Sequence, residues 1–325
     1  MVIFINIAKP NSGMYNLSRS YMNLFIQKKI HCEWIDLQWD KNIKYGGRTI
    51  NYIHPIGSGF IFNSFLNTFI HNLNLHDIKI YTSPDIMPED DGKALSVIHD
   101  FFHLNEPEVS RFEKWKKEKV IAFIKKRNIG VITNSELVAT EARNKNLRVV
   151  SPLYPYITSM YNGEEKNKKL ILSLGTNAPR KRPDVILKFL NSLSEEWTFV
   201  RIGDDLSLVG KINTKANYIY EKYVDPSKLL SYYNRASYLF FPSEREGIGL
   251  PMIEAIFHNV VVIGNKDNKI FNELKINDSI SIQDINDPYI PDYPPPSVFL
   301  EFRTWLQERI EEQFSRVKEE LERIS

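Results

Sequence analysis

Apolar and polar positions follow two periods along this chain. Short apolar runs bounded by polar turns read as buried parallel strands, and segments with apolar residues three and four apart read as helices. VIFINI (2–7) is a strand, followed by a loop with Gly13 and a helix carrying Leu17, Tyr21, Leu24 and Phe25. HCEWIDL (31–37), a polar and aromatic stretch with Gly46-Gly47-Arg48, and an apolar helix around 60–73 come next. IKIYTS (78–83), the run before His99, GVITNS (130–135) and LRVVSP (147–152) continue this half. YNGEEKNKK (161–169) has the charged character of a linker. A second series begins beyond it: KLILSL (169–174), WTFVRIG (197–203), NYIY (217–220), YLFF (238–241) and VVVIG (260–264), alternating with helical segments.

This alternation predicts an α/β chain with two Rossmann-like parallel-sheet domains. The expected boundaries are 1–160, 161–290, and a proline-rich connector with a terminal helix over 291–325. In that helix Phe302, Leu306, Ile310, Phe314, Val317, Leu321 and Ile324 recur at helical spacing, a stripe expected to dock back across both domains. Its seven acids against five bases argue against binding to anionic lipid.

At 325 residues the chain suits two cores rather than one. A net charge of +2 gives no support to a nucleic-acid partner. The basic residues do gather locally: 111–127 holds eight bases and two acids, with Phe112, Trp115, Ile121 and Ile124 near helical spacing. One reading is a helix with one buried and one solvated face; the other is peripheral contact with a membrane surface. The apolar run at the N-terminus is too short for a signal peptide, and no window reaches the ~18 apolar residues of a membrane span. A single cysteine, Cys32, excludes an intrachain disulfide. Together these point to a cytoplasmic protein.

The candidate chemistry centres on PSEREGIGLPMIEA (242–255), which joins the YLFF strand to a helix. Glu246 and Glu254 flank Gly247, Ile248, Gly249 and Leu250. The glycines open backbone N–H groups to a ligand, the helix start favours an anion, and carboxylates hold hydroxyls. A nucleotide sugar combines those features. In GTNAPRKRPD (175–184), Arg180, Lys181 and Arg182 precede Pro183, a favoured first helical residue. Cations there oppose the helix dipole unless an anion joins them. His99 and Asp100 stand at a strand's C-terminal end, where open α/β sheets collect ligands.

Read as E-G-x-G-L-P-x-x-E-A after a strand and Pro-Ser, the 242–255 window resembles the signature of family-four (group 1) retaining glycosyltransferases of GT-B fold. L-G-T-x-x-P-R-K resembles that family's phosphate-binding turn, and V-I-H-D its strand-end His-Asp. The resemblance implies two Rossmann-like domains across a cleft, an acceptor domain followed by a donor-nucleotide domain. It implies transfer of a hexose, with retention, from a nucleotide sugar such as a GDP- or UDP-hexose to a glycan, lipid-linked sugar or protein. Glu246 and His99 are then expected at the transferred sugar, Glu254 on the ribose, and Lys181 with Arg180 on the diphosphate. Asp100, Thr176, Gly247, Ile248, Gly249 and Leu250 are expected around the donor, and the Gly13 loop approaches donor phosphates or acceptor.

Two departures stand out. Thr176 occupies a position where many relatives have Arg, and His258-Asn259 replaces a usual glycine. Asp90-Asp91 and Asp204-Asp205 read as turn residues, so no catalytic metal is expected. A sugar-nucleotide epimerase and a non-catalytic two-domain sugar-binding protein are the alternatives. A Rossmann dehydrogenase is disfavoured, since no G-x-G-x-x-G follows the first strand.

Overall fold

Both series of apolar runs form six-stranded, all-parallel sheets in a computed structural model. It describes residues 1–10, 12–37, 42–45, 48–51, 77–106, 109–276, 282–283, 290 and 292–325. The helix expected around 60–73 lies outside them. The chain divides into two compact units, Met1–Tyr156 with Glu308–Ser325, and Ile157–Gln307.

The first unit contains β1 (Val2–Asn6), α1 (Gly13–Gln27), β2 (Cys32–Asp36), β3 (Asn42–Tyr45), β4 (Arg48–Asn51), β5 (Ile78–Tyr81), β6 (Ala94–Ile98), α2 (Phe102–Asn105), α3 (Arg111–Lys126), β7 (Gly130–Thr133), α4 (Glu136–Asn144) and β8 (Val149–Pro152). Its sheet runs β2-β1-β5-β6-β7-β8. β1, β5, β6 and β7 are buried throughout, as strands covered on both faces must be. β3 and β4 pair separately as an antiparallel ribbon.

The second unit contains β9 (Asn167–Gly175), α5 (Pro183–Ser192), β10 (Thr198–Gly203), β11 (Asn217–Glu221), α6 (Pro226–Arg235), β12 (Ala236–Phe241), α7 (Leu250–Phe257), β13 (Val261–Asn265), α8 (Lys269–Glu273) and β14 (Ile282–Gln283). Its order is β11-β10-β9-β12-β13-β14. The strand order reverses between β9 and β12, and at such a switch point the two following loops part and leave a crevice.

The terminal helix α9 (Pro296–Ile324) is shared between the units. All seven stripe residues are buried. In the first unit Phe314 meets Phe25 edge-on at 5.1 Å, and the Gln313 side-chain oxygen accepts from Tyr154 N at 2.8 Å. In the second, Arg303 donates to Phe257 O and Asn259 Oδ1 at the end of α7.

Two expectations need correction. On α3 the buried residues are Val120, Ile121 and Ile124, whereas Phe112 and Trp115 are 51% and 42% exposed, so the apolar stripe is buried only in its second half. Asp90-Asp91 is more than a turn. Lys79, fully buried in β5, is held by Glu89 at 2.9 Å and by Asp91, while Asp90 pairs with Arg127 at 2.9 Å. Burying that ammonium without its acids would cost several kcal/mol.

Candidate functional site

The 242–255 window does what its residue types require. β12 ends at Phe241, the loop follows, and Gly249 takes φ of 72° as the N-cap of α7. A side chain in that left-handed conformation is strained, which explains the glycine. Ile248 and Leu250 point inward, at 4% and 8% exposure, so they anchor the loop and offer a ligand only their backbone. Buried Asn268 donates to Ser243 O at 3.0 Å and holds the loop from β13's side. His258-Asn259, the departure from glycine, is accommodated: Asn259 adopts φ of 54° after α7, a conformation asparagine tolerates.

The turn after β9 meets this loop across the switch point. Glu244 N donates to Arg180 O at 2.9 Å, a backbone link between the two segments. Lys181 Nζ is hydrogen-bonded to Glu246 Oε1, with both side chains largely buried, and lies 5.3 Å from the Phe241 ring centroid. Arg182 pairs with Asp184 at 2.9 Å and Glu244 at 3.0 Å. Hydrogen bonds from Arg182 hold the Asp184 carboxyl below its ordinary range. Lys181 and Arg182 are thus matched by Glu246 and Glu244 of the opposing loop, and Arg182 also by Asp184 of its own helix. An entering diphosphate would compete with Glu246 for Lys181 and leave that carboxylate for a neutral hydroxyl partner.

In the middle of α7, Glu254 accepts from the Tyr233 hydroxyl at 3.1 Å. Burial pushes its carboxyl up to about 7, against a smaller opposing effect of the Tyr233 hydrogen bond. Tyr233 stacks on His258, whose Nδ1 contacts Asn234 Oδ1 at 2.8 Å. Burial and the cations Lys166 and Arg303 push His258 down to about 4, so it is neutral at pH 7. Lys166 donates to the carbonyls of Tyr233 and His258. The cations therefore satisfy the C-terminal end of α7, while its N-terminal end faces the loop.

Sequence reasoning missed Arg201. Fully buried in β10, it donates to Ser173 Oγ (3.0 Å), Gly175 O (2.8 Å), Thr176 O (3.4 Å), Asn177 Oδ1 (3.2 Å) and Asp204 O (3.1 Å). The signal was present, since a charged residue inside WTFVRIG breaks an otherwise apolar strand. Asp204 and Asp205 are turn residues as expected: Asp204 Oδ2 accepts from Asn177 N at 2.8 Å, and Asp205 caps the turn at 206–208.

In the first unit the remaining candidates lie along the C-terminal edge of the sheet. Gly13 opens α1 behind the N-cap Ser12. A Cβ there would meet nothing within 4 Å, so packing does not demand this glycine. His99 Nε2 lies 2.7 Å from Thr82 O; a carbonyl only accepts, so Nε2 carries the proton. Burial pushes its pKa down, and Nδ1 is enclosed without a hydrogen-bond partner among the described residues. His99 is therefore suited to accept a hydrogen bond at Nδ1, not to act as a cationic acid. Asp100, two residues before α2, accepts from Phe102 N at 3.0 Å. Gly13, His99 and Asp100 belong to the first unit and the other nine candidates to the second.

Residues 160–280, nearly the whole second sheet with its two facing loops, match the family of glycosyl transferases group 1. The fold is that of GT-B glycosyltransferases, and the segment 160–280 is similar to the group 1 family. Among particular proteins, the chain is similar over its full length to WaaG, a glycosyltransferase involved in lipopolysaccharide biosynthesis, covering 94% of it at 13% identity and a TM-score of 0.60. Anabaena HepE, solved with UDP-glucose, gives a TM-score of 0.57 at 12% identity, over 99% of this chain and 97% of that one. A UDP-forming trehalose-phosphate synthase from Burkholderia xenovorans gives 0.66 at 12% identity, over 98% and 99%. Identities this low show the fold. An uncharacterized 41.2 kDa protein in the cps region of Klebsiella pneumoniae is 32% identical over 105 residues, 32% of this chain and 29% of that relative's length.

Proposed function

We propose that this chain transfers a hexose from a UDP- or GDP-hexose to a glycan, lipid-linked sugar or protein acceptor, with retention of configuration, in glycan assembly. The observation that carries the reading is the pairing of Lys181 with Glu246 at the second sheet's switch point, on a loop whose helix presents Glu254. Lys181 and Arg180 meet the diphosphate, the start of α7 adds its dipole, and Glu254 takes the ribose hydroxyls. Glu246, His99 and Asp100 serve the sugar, and backbone groups of Thr176, Gly247, Ile248, Gly249 and Leu250 complete the donor site, with Gly13 near donor or acceptor.

In this reading the acceptor oxygen attacks the anomeric carbon on the face that the diphosphate leaves. The C–O bond to the leaving phosphate breaks as the new one forms, and that phosphate oxygen takes the acceptor's proton. Cations then stabilise the developing charge without a metal ion. The test is incubation with a panel of nucleotide sugars and glycan acceptors. A glycoside product with release of the free nucleoside diphosphate supports the transferase, a new nucleotide sugar would establish an epimerase instead, and binding without turnover a receptor.

A lipid-linked acceptor is favoured by the surface of α3. Phe112 and Trp115 stack at 5.9 Å and are exposed beside Lys119, on a segment with six excess positive charges. The reading places the protein in the cytoplasm, at the membrane surface; among the described residues no helix is long and apolar enough to cross a membrane. Sedimentation with anionic and neutral vesicles tests it. Lys117 pairs with Asp85 at 3.3 Å, so the suitable control changes Lys119, Lys125 and Lys126 to Gln. Equal pelleting with both lipids, or no loss in the control, would exclude this acceptor class.

A further inference from the structure

We propose that Arg201 is a positioning residue for the donor diphosphate, fixing the strand end at 173–177 from behind and setting a permanent positive charge beneath it. The proposal rests on the donor reading above. A guanidinium is costly to bury, because it gives up its hydration, and it is tolerated only where its donors are satisfied. Arg201 is 0% exposed and makes five hydrogen bonds, and among the described residues none of its acceptors is a carboxylate. An aliphatic residue would fill a buried strand position without that cost. What the arginine adds is a fork that draws three consecutive residues, Gly175, Thr176 and Asn177, towards one point.

The backbones around that fork approach too closely for side chains. Gly175 and Gly203 face each other in register with φ of 128° and 127°, and a Cβ on Gly203 would lie 2.1 Å from Gly175 O. Gly175 O also accepts from Asp204 N at 3.1 Å. The turn's carbonyls are thus held inward, and its chain leads directly into the 179–181 turn that carries Arg180 and Lys181. Thr176 itself supplies no charge. Among the described residues the carboxylate that acts on Arg201, that of Asp204, is exposed and screened by water, whereas the guanidinium is enclosed, where an uncancelled charge reaches further.

The test compares nucleoside diphosphate with monophosphate affinity, using UDP and UMP, GDP and GMP, and ADP and AMP, by calorimetry on the full chain. Variants are Arg201→Met, which removes charge and fork, and Arg201→Lys, which keeps the charge alone; circular dichroism checks folding. The wild type should prefer a diphosphate. Arg201→Met should lose about tenfold in diphosphate affinity with little change for the monophosphate, and Arg201→Lys should recover part of the preference. Equal losses for both ligands in a folded variant, or none, would reduce Arg201 to a structural clamp. If the Met variant fails to fold, an unchanged preference in Arg201→Lys overturns the positioning role. A wild type that does not prefer a diphosphate would instead overturn the donor reading, and this proposal with it.

Discussion

In Glu254→Gln an ionisable carboxyl is replaced by an amide of the same shape, whose oxygen still accepts from the Tyr233 hydroxyl. The native carboxyl is moved from its ordinary 4.5 to about 7 by burial. A raised carboxyl favours its protonated form in the folded state, so its stabilising effect is complete below pH 4.5 and disappears as pH rises through 7. At about 1.4 kcal/mol per pH unit, ionisation at pH 8 costs roughly 3 kcal/mol, an upper figure because Glu254 is only partly buried. Gln carries no such cost. Relative to wild type, the variant should gain stability between pH 5 and pH 8 by roughly 2 kcal/mol. Nucleotide binding should move the other way, weakening about tenfold, because a neutral amide is a poorer acceptor for two ribose hydroxyls. Wild-type affinity should also rise through pH 7 as the carboxylate forms, and that rise should be absent in the variant. Urea unfolding at both pH values and calorimetry with UDP and GDP read these quantities. A stability difference independent of pH would refute the burial argument, and unchanged nucleotide affinity would refute the ribose assignment.

Lys181→Ala should lose roughly 2–4 kcal/mol of transition-state stabilisation in kcat/KM, and unchanged kinetics would make the turn ordinary surface charge. Glu246→Gln should depress kcat more than it raises the donor KM, since the residue is assigned to the reacting sugar; equal effects on both would remove the division of roles with Glu254. Gly203→Ala should destabilise the fold by about 2–4 kcal/mol, because its Cβ meets Gly175 O at 2.1 Å and its backbone is left-handed. A thermal melt unchanged from wild type would show that the strand ends can separate. Phe112→Ala with Trp115→Ala should remove the salt-resistant part of vesicle binding and leave the part that ionic strength screens.

The parallel strands were legible because each is covered on both faces, so apolar runs such as ALSVI and ASYLFF stand out against polar turns. The stripe of α9 was legible for the same reason, since helical spacing survives in sequence whatever it packs against. The β3–β4 ribbon was missed although Gly46-Gly47 between two short runs is a hairpin signal, its strands being too polar to stand out. The sequence by itself also determined which residue types form the candidate site, because the 242–255 window joins glycine, carboxylate and helix start within one local segment. Only the tertiary structure decided partnership. Lys181 and Glu246 lie 65 positions apart and meet because β9 and β12 are neighbours with diverging loops. Arg201, Lys79 and Tyr233 acquire their roles from chains that return beside them, and so does the raised carboxyl of Glu254. Spacing along a chain encodes a face and a turn; the environment of a charge depends on which distant segments displace its water.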